Sequence, residues 1–158
     1  MSKIYSLWIV GRNGGLLYNR VSNYAFEMIN VLSDDFVQMP PVDFNDKLRL
    51  ASSWFGMCGI SAQLSPVPGG GGIQLLQADG FDLHSFHTLT GVTFMMVTEP
   101  STTESTEILR TTVYDLFCDY VQKNPFHETD QVIKSELFDT NLVAAATSLN
   151  RRWTAMQN

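Results

Sequence analysis

The sequence predicts an α+β domain in which helices cover both faces of one five-stranded antiparallel sheet. Three observations carry that reading. Short runs rich in β-branched and aromatic residues come first as a pair and later as a trio, with turn signals between them. One long stretch of helical periodicity separates the pair from the trio and two more follow, giving the order ββαβββαα. The apolar stripes on these helices also outnumber what one sheet face can bury. The helix at 45–64 is therefore expected on one face and the two C-terminal helices on the other.

The elements follow in order. "KIYSLWIV", Lys3 to Val10, reads as the first strand, and "LLYNR" returns as the second after "GRNGG", a hairpin turn with the Asn13-Gly14 signal. An irregular connector runs over about 21–44, with prolines at Pro40 and Pro41 and a short helical turn expected around Ala25 to Leu32. "NDKLRLASSWFGMCGISAQL" is the first long helix, with Asn45 or Asp46 as its expected N-cap. "LSPVPGGGGIQLL" then raises the question of a phosphate loop. Such a loop needs a Gly-Lys-Ser/Thr and a helix N-terminus behind it. Here the order is helix, loop, strand, and no lysine follows, so the glycines read as a connection. "GIQLLQA", "FDLHSFHTL" and "GVTFMMVT" are the next strands, joined at Asp79-Gly80 and Thr90-Gly91. "TEILRTTVYDLFCDYVQK" is the second helix, apolar along Leu109, Val113, Leu116, Phe117 and Tyr120, and it stops before Pro125. The third starts near Asp139 and runs through Leu142, Ala146, Leu149, Trp153 and Met156.

At 158 residues, 1–158 reads as a single domain. The net charge of −6 argues against nucleic acid as a partner. Charged residues make up 16% of the chain, against about 25% in ordinary soluble domains. Interface cores are depleted in Lys and Glu, so burial against partner proteins accounts for the shortfall; a surface rich in Ser and Thr is the plainer alternative. Cys58 and Cys118 lie in apolar helical patterns and read as buried, reduced thiols of a cytoplasmic protein. No segment reaches the roughly 20 apolar residues of a membrane span. "IYSLWIV" is too short for a secretory signal, and Ser2 excludes myristoylation.

No catalytic, metal or cofactor-binding set emerges. His84 and His87 stand three apart on a strand and so point to opposite faces, while His127 is remote. Ser52 and Ser53 lack a nucleophile frame, and neither cysteine has a flanking signature. Asp34 and Asp35 sit in turn-forming sequence. The acidic residues of "TEPSTTESTE" and the pair Arg151-Arg152 suit the dipole at the ends of their helices.

The first long helix holds the strongest functional signal. Leu48, Ala51, Phe55, Cys58 and Ala62 form one apolar stripe; Leu50, Trp54, Met57 and Leu64 form a second. Ser52, Gly56, Gly59 and Gln63 make a nearly bare strip on the far side. A helix-interior glycine costs about 1 kcal/mol against alanine, so two of them ask for a packing reason. Two reasons compete: a bulky neighbour within the same domain, or another protein at the outer face. The second makes Leu50, Ser52, Trp54, Gly56, Met57, Gly59 and Gln63 the candidate interface. In isolation such a patch would favour self-association.

"KLRLASSWFGMCGISAQLSP", followed by "GIQLLQADGFDLHSFHTLTGVTFMMVT", closely resembles the synbindin family, subunit 4 of the TRAPP tethering complex. "KNPF" at 123–126, "IKSELFDTNL" at 133–142 and the opening "SLWIVGRNGGLLYNR" extend the likeness. "QLSP" and "LHSFHTLTG" lean toward subunit 4 over the related subunit 1, which typically has a proline where Leu89 stands. Animal members insert a PDZ-like domain where this chain has its connector, and the four glycines also depart from the family. The resemblance implies the longin (SNARE-like, profilin-like) fold, whose order is the one read above. It further implies a non-catalytic subunit of a guanine-nucleotide exchange factor, with other TRAPP core subunits and a Rab/Ypt GTPase as partners. The expected location is cytoplasmic, peripheral to Golgi, ER and vesicle membranes through the complex. The alternatives are the related TRAPP subunit 1, or a longin-domain trafficking regulator acting outside TRAPP.

Overall fold

The computed structural model describes residues 4–21, 43–69, 71–100 and 105–156, the last helix by its backbone alone from residue 150. The helical turn expected at Ala25 to Leu32, Asp34-Asp35, Arg151-Arg152, the side chains of Trp153 and Met156, and most of the connector lie outside the described residues.

Five strands form one antiparallel sheet: β1 (Ile4–Val10), β2 (Leu16–Val21), β3 (Leu75–Gln77), β4 (Asp82–His87) and β5 (Thr93–Thr98), in the order β2-β1-β5-β4-β3. The turns are those the sequence marked. Gly14 and Gly91 take positive φ of 79° and 89° in the β1–β2 and β4–β5 connections, a conformation that suits glycine. At Asp79-Gly80 the Ala78 N–H donates to the Phe81 carbonyl at 2.9 Å. β1 meets β2 through a bulge, where Val10 pairs with Leu16 and Ile9 with Tyr18.

The period-two alternation of the strands divides the core in two. On one face Leu7, Ile9, Phe94 and Met96 pack under the C-terminal helices, with Leu109, Val113, Phe117, Val121, Phe138 and Leu142 above them. Phe94 is at the centre, edge-on to Phe117 at 5.2 Å and to Tyr114 at 6.1 Å between ring centres. On the other face Val10 and Met95 meet Ala51, Trp54 and Cys58 of α1 (Phe44–Leu64). The expected two-sided covering is what the structure has.

The boundaries need correction. α1 is capped by Asp43, not by Asn45 or Asp46. Asp43 is extended, its carboxylate accepts from the Phe44 N–H at 2.8 Å, and its carbonyl takes the first helical bond from Lys47 N–H at 3.1 Å. The last helix, α3 (Glu136–Met156), begins a turn before Asp139, because Ser135 is its cap: Oγ accepts from the Phe138 N–H at 3.2 Å. β3 is shorter than the seven residues of "GIQLLQA", since Gly72 turns with φ +81° against α1.

The helix over 105–122, α2, is continuous but alternates α-helical turns with two wider π stretches, Leu109–Val113 and Cys118–Gln122. Of its buried residues, Ser105, Leu109, Val113, Phe117 and Val121 recur every four, with Ile108 beside them. In a regular α-helix that stripe would drift by about 40° at each step. The wider turns take up the drift and keep the stripe over Phe94.

Candidate protein-interaction face

α1 runs for three uncharged turns and more. From Leu50 to Ala78 the chain carries no charged side chain at all. Asp46 in the first turn suits the helix dipole, and Pro66 ends the helix by holding Ser65 in an extended conformation, φ −63° and ψ 128°. The chain then folds back across the helix. At Gly72 a Cβ would lie 3.1 Å from the Cys58 carbonyl oxygen, so that glycine permits the close crossing.

One line of α1 faces the sheet: Ala51, Trp54 and Cys58 are buried, with Lys47, Leu48 and Ser61 half-buried beside them. Trp54 is 4% exposed and packs in the cluster with Val10 and Met95. It therefore does not border the outer face, where the sequence reading put it. The reason is angular: three residues after Ala51 and four before Cys58, Trp54 belongs to their stripe. Its indole N–H is buried without a hydrogen-bond partner among the described residues. Burial also pushes the Cys58 thiol up, partly offset by a backbone hydrogen bond from Ile73, so it stays protonated.

The opposite face is open. Leu50, Met57, Ile60 and Leu64 are 53%, 44%, 61% and 79% exposed. Leu50, Met57 and Leu64 recur every seven residues, which keeps them nearly in line, and Ile60 fills the turn between the last two. Ser52, Gly56, Gly59 and Gln63, about 80–180° further round the helix from Leu50, Met57 and Leu64, are exposed as well. A Cβ at Gly56 or Gly59 would meet nothing within 4 Å. No bulky neighbour in the domain occupies that space, which removes the internal-packing explanation among the described residues. Ser52 is anchored inward, its hydroxyl donating to the Gly14 carbonyl at 3.4 Å.

Six of the seven predicted residues are thus exposed and Trp54 is the exception, but Leu50 and Met57 stand about 140–180° round the helix from Ser52 and Gly59, so the six spread over more than one face. Ile60 was missed. Its signal was available, three residues after Met57 and four before Leu64. These faces offer apolar contact and close backbone approach, with no titratable group to act as acid, base or nucleophile.

His84 and His87 serve the fold. His84 is buried beneath α2 with Nδ1 3.2 Å from Thr106 Oγ1, and burial holds its pKa below the usual imidazole range. His87 faces the other way, with Nδ1 3.0 Å from Thr93 Oγ1 and Nε2 3.3 Å from the Ile73 carbonyl. Among the described residues no cluster of three His, Cys, Asp or Glu side chains is arranged to hold a metal. None of the described helices is long and apolar enough to cross a membrane.

Comparison with known proteins supplies relatives. A family model described as Sybindin-like matches residues 4–149. A Bos taurus protein named Trafficking protein particle complex subunit 4 is 41% identical over 106 residues, 67% of this chain and 48% of that one. The chain thus matches about half the length of that relative. The Dictyostelium discoideum protein of the same name is 33% identical over 140 residues, covering 88% of this chain and 93% of its own length. Trafficking protein particle complex subunit 1 of Rattus norvegicus is more distant, 27% identical over 95 residues, 60% of this chain and 66% of that one. Among solved structures, Myxococcus xanthus MglB aligns with 96% of this chain and 85% of its own, at a TM-score of 0.43 and 11% identity. That likeness is too distant to carry an argument.

Proposed function

The chain belongs to the Sybindin-like family, and from that premise we propose that it is a non-catalytic core subunit of a TRAPP tethering complex. In this reading it contributes to guanine-nucleotide exchange on a Rab/Ypt GTPase in ER-to-Golgi and Golgi transport, at the cytoplasmic side of those membranes. Relatives named as subunit 4 match at higher identity than those named as subunit 1, which favours the former assignment. Exchange factors act by differential binding: they stabilise the nucleotide-free GTPase and need no covalent chemistry. A surface without an acid, base or nucleophile suits that task.

The observation that carries the proposal is the outer face of α1. Exposed apolar rows of this kind, uncharged and on a helix whose glycines face empty space, mark protein interfaces. Either a neighbouring TRAPP subunit or the GTPase covers it, and in isolation the same face favours self-association. The test is the double substitution Met57→Glu and Ile60→Glu in the chain co-expressed with its partner subunits. Both side chains are exposed, so the fold should survive while co-purification and exchange are lost. Unchanged assembly and exchange by a well-folded double variant would rule this face out.

A further inference from the structure

We propose that the cleft between β1, α2 and α3 is a binding site for an aliphatic chain with an anionic head. This lies on the opposite side of the sheet from α1 and does not depend on the proposed function. The cleft has a volume of about 190 Å³. Leu7 and Met96 of the sheet, Val113 of α2, and Ala145, Ala146 and Leu149 of α3 line its apolar part.

The sequence explains why space is left there. α3 offers Leu142 and Leu149 to the core, but Ala145 and Ala146 stand between them where larger residues would fill the volume. Packed interiors leave few voids larger than a water molecule. An apolar cavity of about 150 Å³ stays dry and accepts a benzene-sized guest, so this one is large enough for the end of an alkyl chain. The lining also selects the head. Among the described residues that line it, the polar side chains are hydroxyls, among them Thr112 and Thr147, the charged one is the Arg20 guanidinium, and none is an anion. Arg20 is paired with Asp139 through one nitrogen; a guanidinium has further donors to offer a carboxylate or a phosphate. A free fatty acid and a membrane phospholipid share this chemistry.

Two arms distinguish those sources, each using the full chain. The first titrates cis-parinaric acid in solution by fluorescence; the second measures co-flotation with vesicles of phosphatidylcholine and phosphatidic acid. Both are repeated with Ala146→Phe and with the milder Ala145→Leu, which fill the cleft, and with Ile60→Glu on the other face. Near-ultraviolet circular dichroism confirms that each variant is folded. The expected result is saturable binding in one arm that a folded filling variant weakens at least about tenfold, a loss that two or so unburied methylenes suffice to produce. Ile60→Glu leaves that binding unchanged. Saturation in the first arm identifies a free fatty acid, and in the second a membrane lipid. The proposal is overturned if wild type binds in neither arm, as when the chain's own residues seat in the cleft. It is equally overturned if both filling variants, folded, bind as wild type does, or if Ile60→Glu is the change that abolishes binding.

Discussion

On one face of the sheet two helices close over a cluster centred on Phe94, whose fifteen buried residues come from β1, β2, β5, α2, α3 and two loop positions, Val92 and Ile133. On the other face a single helix contributes three residues to a cluster of five. Both faces carry apolar residues from the same strands, so the strands alone do not account for the inequality. It arises because α2 and α3 flank each other, each burying a stripe, whereas α1 has no helical neighbour among the described residues and keeps its outer row bare. The thick face is where the fold is held, and the thin face is where the molecule has apolar surface left to offer.

That division can be broken most directly at Phe94. It is fully buried between Phe117 and Tyr114, and Phe94→Ala should cost about 3–5 kcal/mol in urea unfolding. A loss below about 1 kcal/mol would mean that the thick face does not dominate stability. Trp54 sharpens the same contrast from the thin side. Trp54→Ala should cost about 3 kcal/mol, the low end for an aromatic truncation, because fewer neighbours surround it. Trp54→Phe should cost less than about 1.5 kcal/mol, since it keeps most of the packing and removes an unpaired buried N–H. Equal losses for the two variants would show that the indole N–H has a partner.

Trp54 also shows what was and was not legible beforehand. The ββαβββαα order, the hairpin turns and the two-sided covering could be read because each rests on local chemistry: alternation, positive-φ glycines, apolar stripes. Which stripe of α1 meets the sheet depends on the rotation of the helix, and Trp54 lies close enough in angle to both stripes to be assigned to either. The wider turns of α2 and the cleft at Ala145 and Ala146 were illegible for a related reason, since both arise only when helices settle against a sheet of fixed spacing. The exposure of Met57 and the empty space around Gly56 and Gly59 depend on what packs around α1, which its own sequence does not specify.

A smaller effect is expected at His84, under the thick face. Its imidazole titrates below the ordinary value of 6.5, chiefly because burial disfavours the charged form, with Asp82 opposing. The unfolded state therefore takes up a proton first as pH falls, and stability drops from about pH 6.5 downward until the folded pKa is passed. The melting temperature should fall between pH 7.5 and 5.5, and His84→Gln should flatten that slope. An identical slope in the variant would move the origin of the effect to another group.

The smallest effect belongs to the polar tie at the edge of the thick face. Asp139 on α3 accepts hydrogen bonds from Tyr18 and Arg20 on β2. The hydrogen bond from Arg20 is the main reason its carboxyl titrates below the ordinary range, with Tyr18 adding to it and desolvation opposing. Burial, followed by the bond to Asp139, pushes the Tyr18 phenol above its usual value, so it remains a donor throughout the neutral range. A depressed carboxyl stabilises the folded state above its unfolded pKa and loses that contribution as pH falls through the folded one. The tie should therefore hold at neutral pH and weaken only below about pH 4. The side chains of Arg20 and Asp139 are 43% and 42% exposed, so solvent and salt screen the pair. Asp139→Asn should cost no more than about 1 kcal/mol at pH 7, and less in high salt. At pH 3, below the ordinary carboxyl value, the unfolded chain takes up the proton first and the gap between the two proteins should narrow. A cost above about 2 kcal/mol that survives both salt and acid would instead describe a desolvated pair. The thick face would then be held partly by charge, and its contrast with the thin face would no longer be one of apolar packing alone.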